Sequence, residues 1–195
     1  MTAPMGAVLC GGLSRRMGTD KATMDFDGIA MARRVADALI AAGCRPVVAV
    51  GGDSVALTGL GLEFVADRFP GEGPLGGILT AAELGSPVLV VACDLPRLRA
   101  DTIRSLVEAL GDHDAAIAHT GKPEPLCGVW SSRGAALLRT QFDAGERAVH
   151  RALEHCDVAW VAADPGQLRN VNSPADLHEA ADGWADGADG PGDRG

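Results

Sequence analysis

Residues 88–96 read VLVVACDLP. The first five are apolar at every position, with no polar residue alternating between them. That is the pattern of a central strand covered on both faces by helices. Just past the strand stands an acid, Asp94. In open α/β sheets, ligands bind beyond the carboxyl ends of the strands. One stretch therefore predicts a fold and indicates the edge where chemistry belongs.

Reading outward, apolar β-type runs alternate with helical patterns. Strands are expected at 5–9 (MGAVL), 46–50 (PVVAV), 62–66 (LEFVA), 115–118, 127–131 (CGVWS) and 157–162 (DVAWVA). Met31, Val35, Leu39 and Ala42 fall on one face of a helix that Gly43 ends. Further helices are expected at 76–84, around Ile103, Leu106, Val107 and Leu110 with Asp101 as N-cap, at 133–142 and at 147–155. SPAD (173–176) has the form of a helix start, with Ser at the cap, Pro first and Asp closing a capping box. Strands alternating with helices imply an α/β sandwich, mostly parallel, with helices on both faces. No composition break occurs before a Gly/Asp/Pro-rich end, so one domain is expected over 1–184 and a disordered tail over 185–195.

The 195 residues carry 17 Lys+Arg against 26 Asp+Glu, a formal net charge of −9. That argues against non-specific nucleic-acid or membrane-surface binding, but not against a small anion held in a locally basic cleft. The five cysteines are scattered with no C-x-x-C pair, which favours a reduced, cytoplasmic protein over a zinc site or a disulfide framework. The N-terminus lacks a basic region followed by a long apolar one. No stretch approaches the ~20 apolar residues that span a membrane.

Three loops fall at the predicted ligand edge. LCGGLSRRMGTDKA (9–22) follows the first strand. Gly11 and Gly12 permit close backbone approach, and Arg15, Arg16 and Lys21 add cations, so a polyphosphate is the natural guest. The spacing is neither a Walker A loop nor G-x-G-x-x-G, and Arg16 stands where a G-x-S-x-G elbow around Ser14 needs glycine. A solvated basic turn is the plain alternative. In CDLP, Asp94 suits Mg²⁺ bridged to phosphate oxygens, or else caps the following helix; Cys93 reads as packing. In VADRFPGEGPLGG (65–77), Asp67 can accept two hydrogen bonds from a guanine edge, with Gly73, Gly76 and Gly77 letting backbone approach a flat base. An Asx turn is the alternative for Asp67. Arg147 suits a second phosphate or an exposed helix start. Asn170 and Asn172 read first as turn residues. The histidines show no metal-ligand spacing.

Together these segments resemble the molybdenum cofactor guanylyltransferases, within the wider nucleotidyltransferase superfamily. The family's opening signature, roughly L-A-G-G-x-S-x-R-M-G-x-D-K, reads LCGGLSRRMGTDK here with Cys10 in the usual Ala position. GPLGGI (73–78), CDLP (93–96), AGERAV (144–149) and VNSPADL (171–177) match in order. The resemblance implies a three-layer Rossmann-like sandwich of the nucleotide-diphospho-sugar transferase type. It implies GMP transfer from GTP to the terminal phosphate of molybdopterin, with Mg²⁺ and release of pyrophosphate. Carried over, Leu9, Cys10, Gly11 and Gly12 line the nucleotide, Lys21 binds its phosphates, Asp67 lies near the guanine, and Asp94 binds both nucleotide and metal. Arg16, Lys21 and Asp94 are the expected catalytic residues; Arg147 and Asn172 lie toward the pterin. The family's contact after the second strand maps ambiguously onto AVGGD (49–53), and no residue is assigned there. Assembly proteins of molybdoenzymes are further expected partners.

Gly11 and GPLGG tilt base choice to GTP, because related cytidylyltransferases usually carry Ala in place of Gly11 and lack the second segment. The alternatives are a cytidylyltransferase for the same pterin, a sugar-phosphate nucleotidyltransferase, or a GTP-binding regulator without catalysis.

Overall fold

The computed structural model describes residues 3–11, 21–172 and 176. Gly12, Ser14, Arg15 and Arg16 lie outside the described residues, as do most of the SPAD helix start and the whole of 185–195. The apolar run at 88–92 is a central strand, as its composition demands. β1 (Met5–Leu9) is hydrogen-bonded between β4 (Val47–Val50) and β6 (Val88–Ala92), all three parallel, with Leu9 in register with Val50 and Ala92. β5 (Glu63–Val65) continues the parallel set beyond β4. On the other side lie β8 (Pro123–Trp130), β7 (Ala115–His119) and β9 (Val158–Ala162), giving the order β5-β4-β1-β6-β8-β7-β9.

Helices cover both faces because every residue of β1 is buried. Val8 and Cys10 join a core with α1 (Met31–Ala41), α2 (Ser54–Gly59) and α4 (Ala100–Leu110); Ala7 and Leu9 join a second core with α3 (Pro74–Ala82), α5 (Ser132–Asp143) and α6 (Val149–Ala152). Gly43, at φ +98°, ends α1 as expected. Its N–H bonds to the Ile40 carbonyl and the Cys44 N–H to that of Leu39, which satisfies carbonyls the helix leaves open.

Several expectations change. β8 is antiparallel to both its neighbours and begins four residues before the expected strand. Pro123 and Pro125 read against a strand, but a short turn over Thr120–Lys122 needs no crossover and returns the chain directly beside β7. The helix expected at 147–155 is one α-helical turn, α6, followed by a 3-10 turn over Leu153–His155. Asp101 is not the N-cap of α4. Arg99 occupies that position, and Asp101 lies inside the first turn, where its carboxylate favours the helix dipole and pairs with Arg99 at 3.3 Å. A hairpin, β2 (Asp25–Phe26) and β3 (Ile29–Ala30), is additional. Its signal was Asp27-Gly28, both at positive φ (52° and 80°), the pair that a tight two-residue hairpin turn favours.

At the opposite edge of the sheet, Asp114 is 4% exposed. It accepts from Arg133 Nε and, at 2.8 Å, from the Asp157 N–H, so it ties β7 to α5 and β9. Burial alone pushes its carboxyl up, but the Arg133 hydrogen bond and charge, with the Asp157 N–H, hold it net below the usual range. A depressed carboxyl stabilises the fold above its unfolded value of about 3.9 and loses that contribution as pH falls below it. The urea midpoint of the wild type is therefore expected to drop on acidification through that window. Asp114→Asn should be less stable at pH 7 and show a flatter acid limb. Parallel acid limbs in the two proteins would remove Asp114 from the acid response.

Candidate active site

The loops after β1, β4 and β5 meet with almost no side chain between them. The Cys10 N–H donates to the Val50 carbonyl at 2.9 Å, and the Gly51 N–H to the Val65 carbonyl at 2.9 Å. A Cβ on Gly51, whose φ is +71°, would stand 3.1 Å from Gly11 Cα and 3.6 Å from Asp67 Cβ. One on Gly52, at φ +87°, would stand 3.1 Å from the Cys10 carbonyl oxygen. Both positions demand glycine for conformation and for space. They form a floor of backbone, open above Gly11, which is exposed. The neighbouring Asp53 is occupied as the cap of α2, accepting from the Val55 and Ala56 N–H groups at 2.9 Å. Gly51 and Gly52 received no assignment from sequence, although two glycines directly after a strand were the available signal.

Asp67 adopts the Asx turn. Its Oδ1 accepts from the Phe69 N–H at 2.9 Å and lies 3.0 Å from the Thr80 hydroxyl. Oδ2 takes no hydrogen bond among the described residues. The turn holds the carboxylate beside Gly51.

Gly76 and Gly77 do not offer backbone to a base. A Cβ on Gly76 would lie 2.8 Å from Phe69 Cβ, and one on Gly77 would lie 3.1 Å from Leu9 Cδ2. These glycines let α3 sink against the β5 loop and the end of β1. Gly73, exposed at the N-cap of α3 with φ +80°, is the one of the three that stays on the surface.

On the other side of β1, Lys21, Asp94 and Asn172 come together. Lys21 Nζ lies 3.6 Å from Asp94 Oδ2 and donates to Asn172 Oδ1 at 2.5 Å. The Val171 N–H donates to the Asp94 backbone carbonyl at 2.9 Å, which ties the 169–172 segment to the loop after β6. Lys21 and Asn172 are 151 apart in the chain, so no local pattern announces their contact. Burial pushes the Asp94 carboxyl upward, opposed by the Lys21 charge and hydrogen bond. Asp94 Oδ1 is shut from solvent and has no hydrogen-bond partner among the described residues.

Arg147 belongs to a different neighbourhood. Its Nε pairs with Glu72, its Nη1 donates to the Phe142 and Glu146 carbonyls at 2.7 and 2.9 Å, and its guanidinium lies 4.0 Å above the Phe142 ring. The two residues expected on the pterin side thus separate: Asn172 joins Lys21, and Arg147 braces the turn before α3. Cys93 is buried in the core, as expected for packing. Among the described residues, no group of three or more His, Cys, Asp or Glu is placed to hold a metal.

A doubly covered sheet whose carboxyl edge offers a glycine floor, a lysine and a part-buried, half-satisfied aspartate is the arrangement of a Rossmann-like nucleotidyltransferase. The model of the MobA-like NTP transferase domain matches residues 6–163, and the chain belongs to that family. It is 34% identical over 183 residues to the molybdenum cofactor guanylyltransferase of Cereibacter sphaeroides, covering 90% of this chain and 94% of that one. The structure of molybdopterin-guanine dinucleotide biosynthesis protein A from Archaeoglobus fulgidus superposes with a TM-score of 0.76 and 25% identity, over 93% of this chain and 99% of that one. A nucleotidyl transferase from Methanothermobacter, at 18% identity and a TM-score of 0.76 over 95% and 99%, shares the fold. Among the described residues, no helix is long and apolar enough to cross a membrane.

Proposed function

We propose that the chain is a molybdenum cofactor guanylyltransferase, transferring GMP from GTP to the terminal phosphate of molybdopterin with release of pyrophosphate. The relatives' names supply the reaction. The observation that carries it to this site is Asp94, whose Oδ1 is buried without a partner while Oδ2 faces Lys21 at 3.6 Å. A buried carboxylate oxygen left unsatisfied is costly unless something fills the position. A hard divalent cation bound by one carboxylate, phosphate oxygens and water fits that need, and we assign it as Mg²⁺. When bound, it supplies charge stabilisation at the α-phosphate.

The protein's own groups do the rest. Leu9, Cys10, Gly11 and Gly51 present backbone to the nucleoside, and Asp67 offers its remaining oxygen to the guanine N1–H and amino group. Gly12, from the same sequence motif, is assigned to the nucleotide as well. Lys21 holds the phosphates, with Arg16 as a second cation for the leaving pyrophosphate. Asn172 aims the Lys21 ammonium. The acceptor phosphate oxygen attacks the α-phosphorus, a new P–O bond forms, and the bond to the β-phosphate oxygen breaks. A phosphate nucleophile is already ionised, so the step needs no strong general base, and rate comes from positioning and charge. None of the five cysteines is in a disulfide, which suits a reducing compartment, and we place the reaction in the cytoplasm.

Pyrophosphate release from GTP, CTP and ATP, each offered with molybdopterin, tests the reading. GTP is expected to be preferred over CTP by about 100-fold, because guanine offers the Asp67 oxygen two donors, N1–H and its amino group, where cytosine offers only its amino group. A preference for CTP overturns the base assignment.

A further inference from the structure

Arg97 follows Asp94 by three residues, in the turn that carries the chain from β6 to α4. The Leu98 N–H closes this turn on the Leu95 carbonyl at 3.1 Å, and both leucines are buried in the core under α4. Arg97 stands between them. Its Nε and Nη2 are shut from solvent and have no hydrogen-bond partner among the described residues. The nearby carboxylates do not serve it: Asp94 faces Lys21, and Asp101 pairs with Arg99. One short loop thus holds two unsatisfied groups of opposite sign, Asp94 Oδ1 and the Nε–Nη2 edge of Arg97.

That edge is the one a guanidinium uses to take a phosphate through two parallel hydrogen bonds. Guanidinium N–H groups shut from water without an acceptor are unfavourable, and pairing relieves this. The strand order says which phosphate. Gly11, Gly51 and Asp67 follow β1, β4 and β5, on one side of Asp94; β6 borders β8 on the other. Arg97 leaves β6, so it lies away from the glycine floor, while Lys21 reaches Asp94 from the β1 loop. We infer that Arg97 binds the terminal phosphate of the acceptor, offering its Nε–Nη2 edge as that phosphate approaches Asp94. The assignment rests on the guanylyltransferase reading. A cation there reduces repulsion between the acceptor phosphate and the triphosphate it must attack.

The test compares wild type, Arg97→Met and Arg97→Lys, measuring kcat and both KM values by pyrophosphate release. Binding of molybdopterin and of its dephosphorylated form is followed by pterin fluorescence. Arg97→Met is expected to raise the KM for molybdopterin about tenfold or more and leave that for GTP within about twofold, since only the acceptor loses a charge-assisted pair. Arg97→Lys should recover part of the loss. Dephosphorylated molybdopterin should bind wild type and Arg97→Met alike. An unchanged molybdopterin KM, an equal rise in both KM values, or a lowered Tm with both constants intact overturns the assignment. If Arg97→Met does not fold, the same two-ligand comparison with Arg97→Lys decides it. A wild type that releases no pyrophosphate from GTP and molybdopterin sinks the guanylyltransferase reading and this assignment together. A working wild type with an indistinguishable Arg97→Met sinks this assignment only.

Discussion

Asp94→Asn is expected to cut turnover by roughly 10³-fold or more, the scale of losing a preorganised charge at a reacting phosphate. The amide cannot supply the negative oxygen that a divalent cation needs, so adding excess Mg²⁺ should restore little. The fold should survive. The backbone carbonyl of Asp94 keeps its bond from Val171, and the side chain's ion-pair partner, Lys21, is itself part of the site. The measurement is pyrophosphate release across a Mg²⁺ titration, with a thermal melt of the same sample. Near-normal turnover would remove Asp94 from the metal assignment. A large fall in Tm would instead make the aspartate structural.

Gly134→Ala is expected to cost about 3 kcal/mol or more, against the direction that helix propensity predicts. Gly134 lies in the first turn of α5, where its N–H is capped by Ser131 Oγ at 3.1 Å. Propensity favours alanine over glycine by about 1 kcal/mol inside a helix. Here an added Cβ would sit 2.1 Å from the Asp114 carbonyl oxygen and 2.8 Å from its carbon. Both are backbone atoms, and that carbonyl already accepts from Ser131 N–H and Oγ at 3.0 Å each. The helix must lift off the start of β7, an overpacking penalty at or beyond the usual range. At this chain length the expected loss in Tm is about 10 °C. Gly59→Ala, in α2, is the control: nothing lies within 4 Å of its Cβ, and it should be neutral or slightly stabilising. Equal melts for the two variants would refute the steric account.

Those two residues mark how differently site and scaffold are written in the chain. Asp94 was legible because a fully apolar strand ends one residue before Cys93, and the carboxyl edge of such strands is where ligands go. Gly134 was not, since its neighbour Asp114 lies across a β7–β8 hairpin and carries no local signal. Gly76 and Gly77 were noticed for one reason and needed for another: their missing side chains admit Phe69 and Leu9, not a base. Gly51 and Gly52 were visible as glycines but lacked a role until their backbones were seen against Cys10, Gly11 and Asp67. At Asp67 the structure shows the Asx turn, with Oδ1 accepting from the Phe69 N–H.

By itself the sequence determined the alternation of strands and helices, the covered and mostly parallel sheet, and the family to which the chain belongs. Those properties follow from short-range patterns, apolar runs, glycines after strands and ordered motifs, which survive without coordinates. Only the tertiary structure decided which residues meet. It joined Asn172 to Lys21 across 151 positions, sent Arg147 to Glu72 and Phe142, reversed β8, and left Asp94 Oδ1 and the Arg97 guanidinium edge without partners among the described residues. Contacts between distant segments depend on how layers pack, and whether a buried charge is satisfied depends on every atom around it.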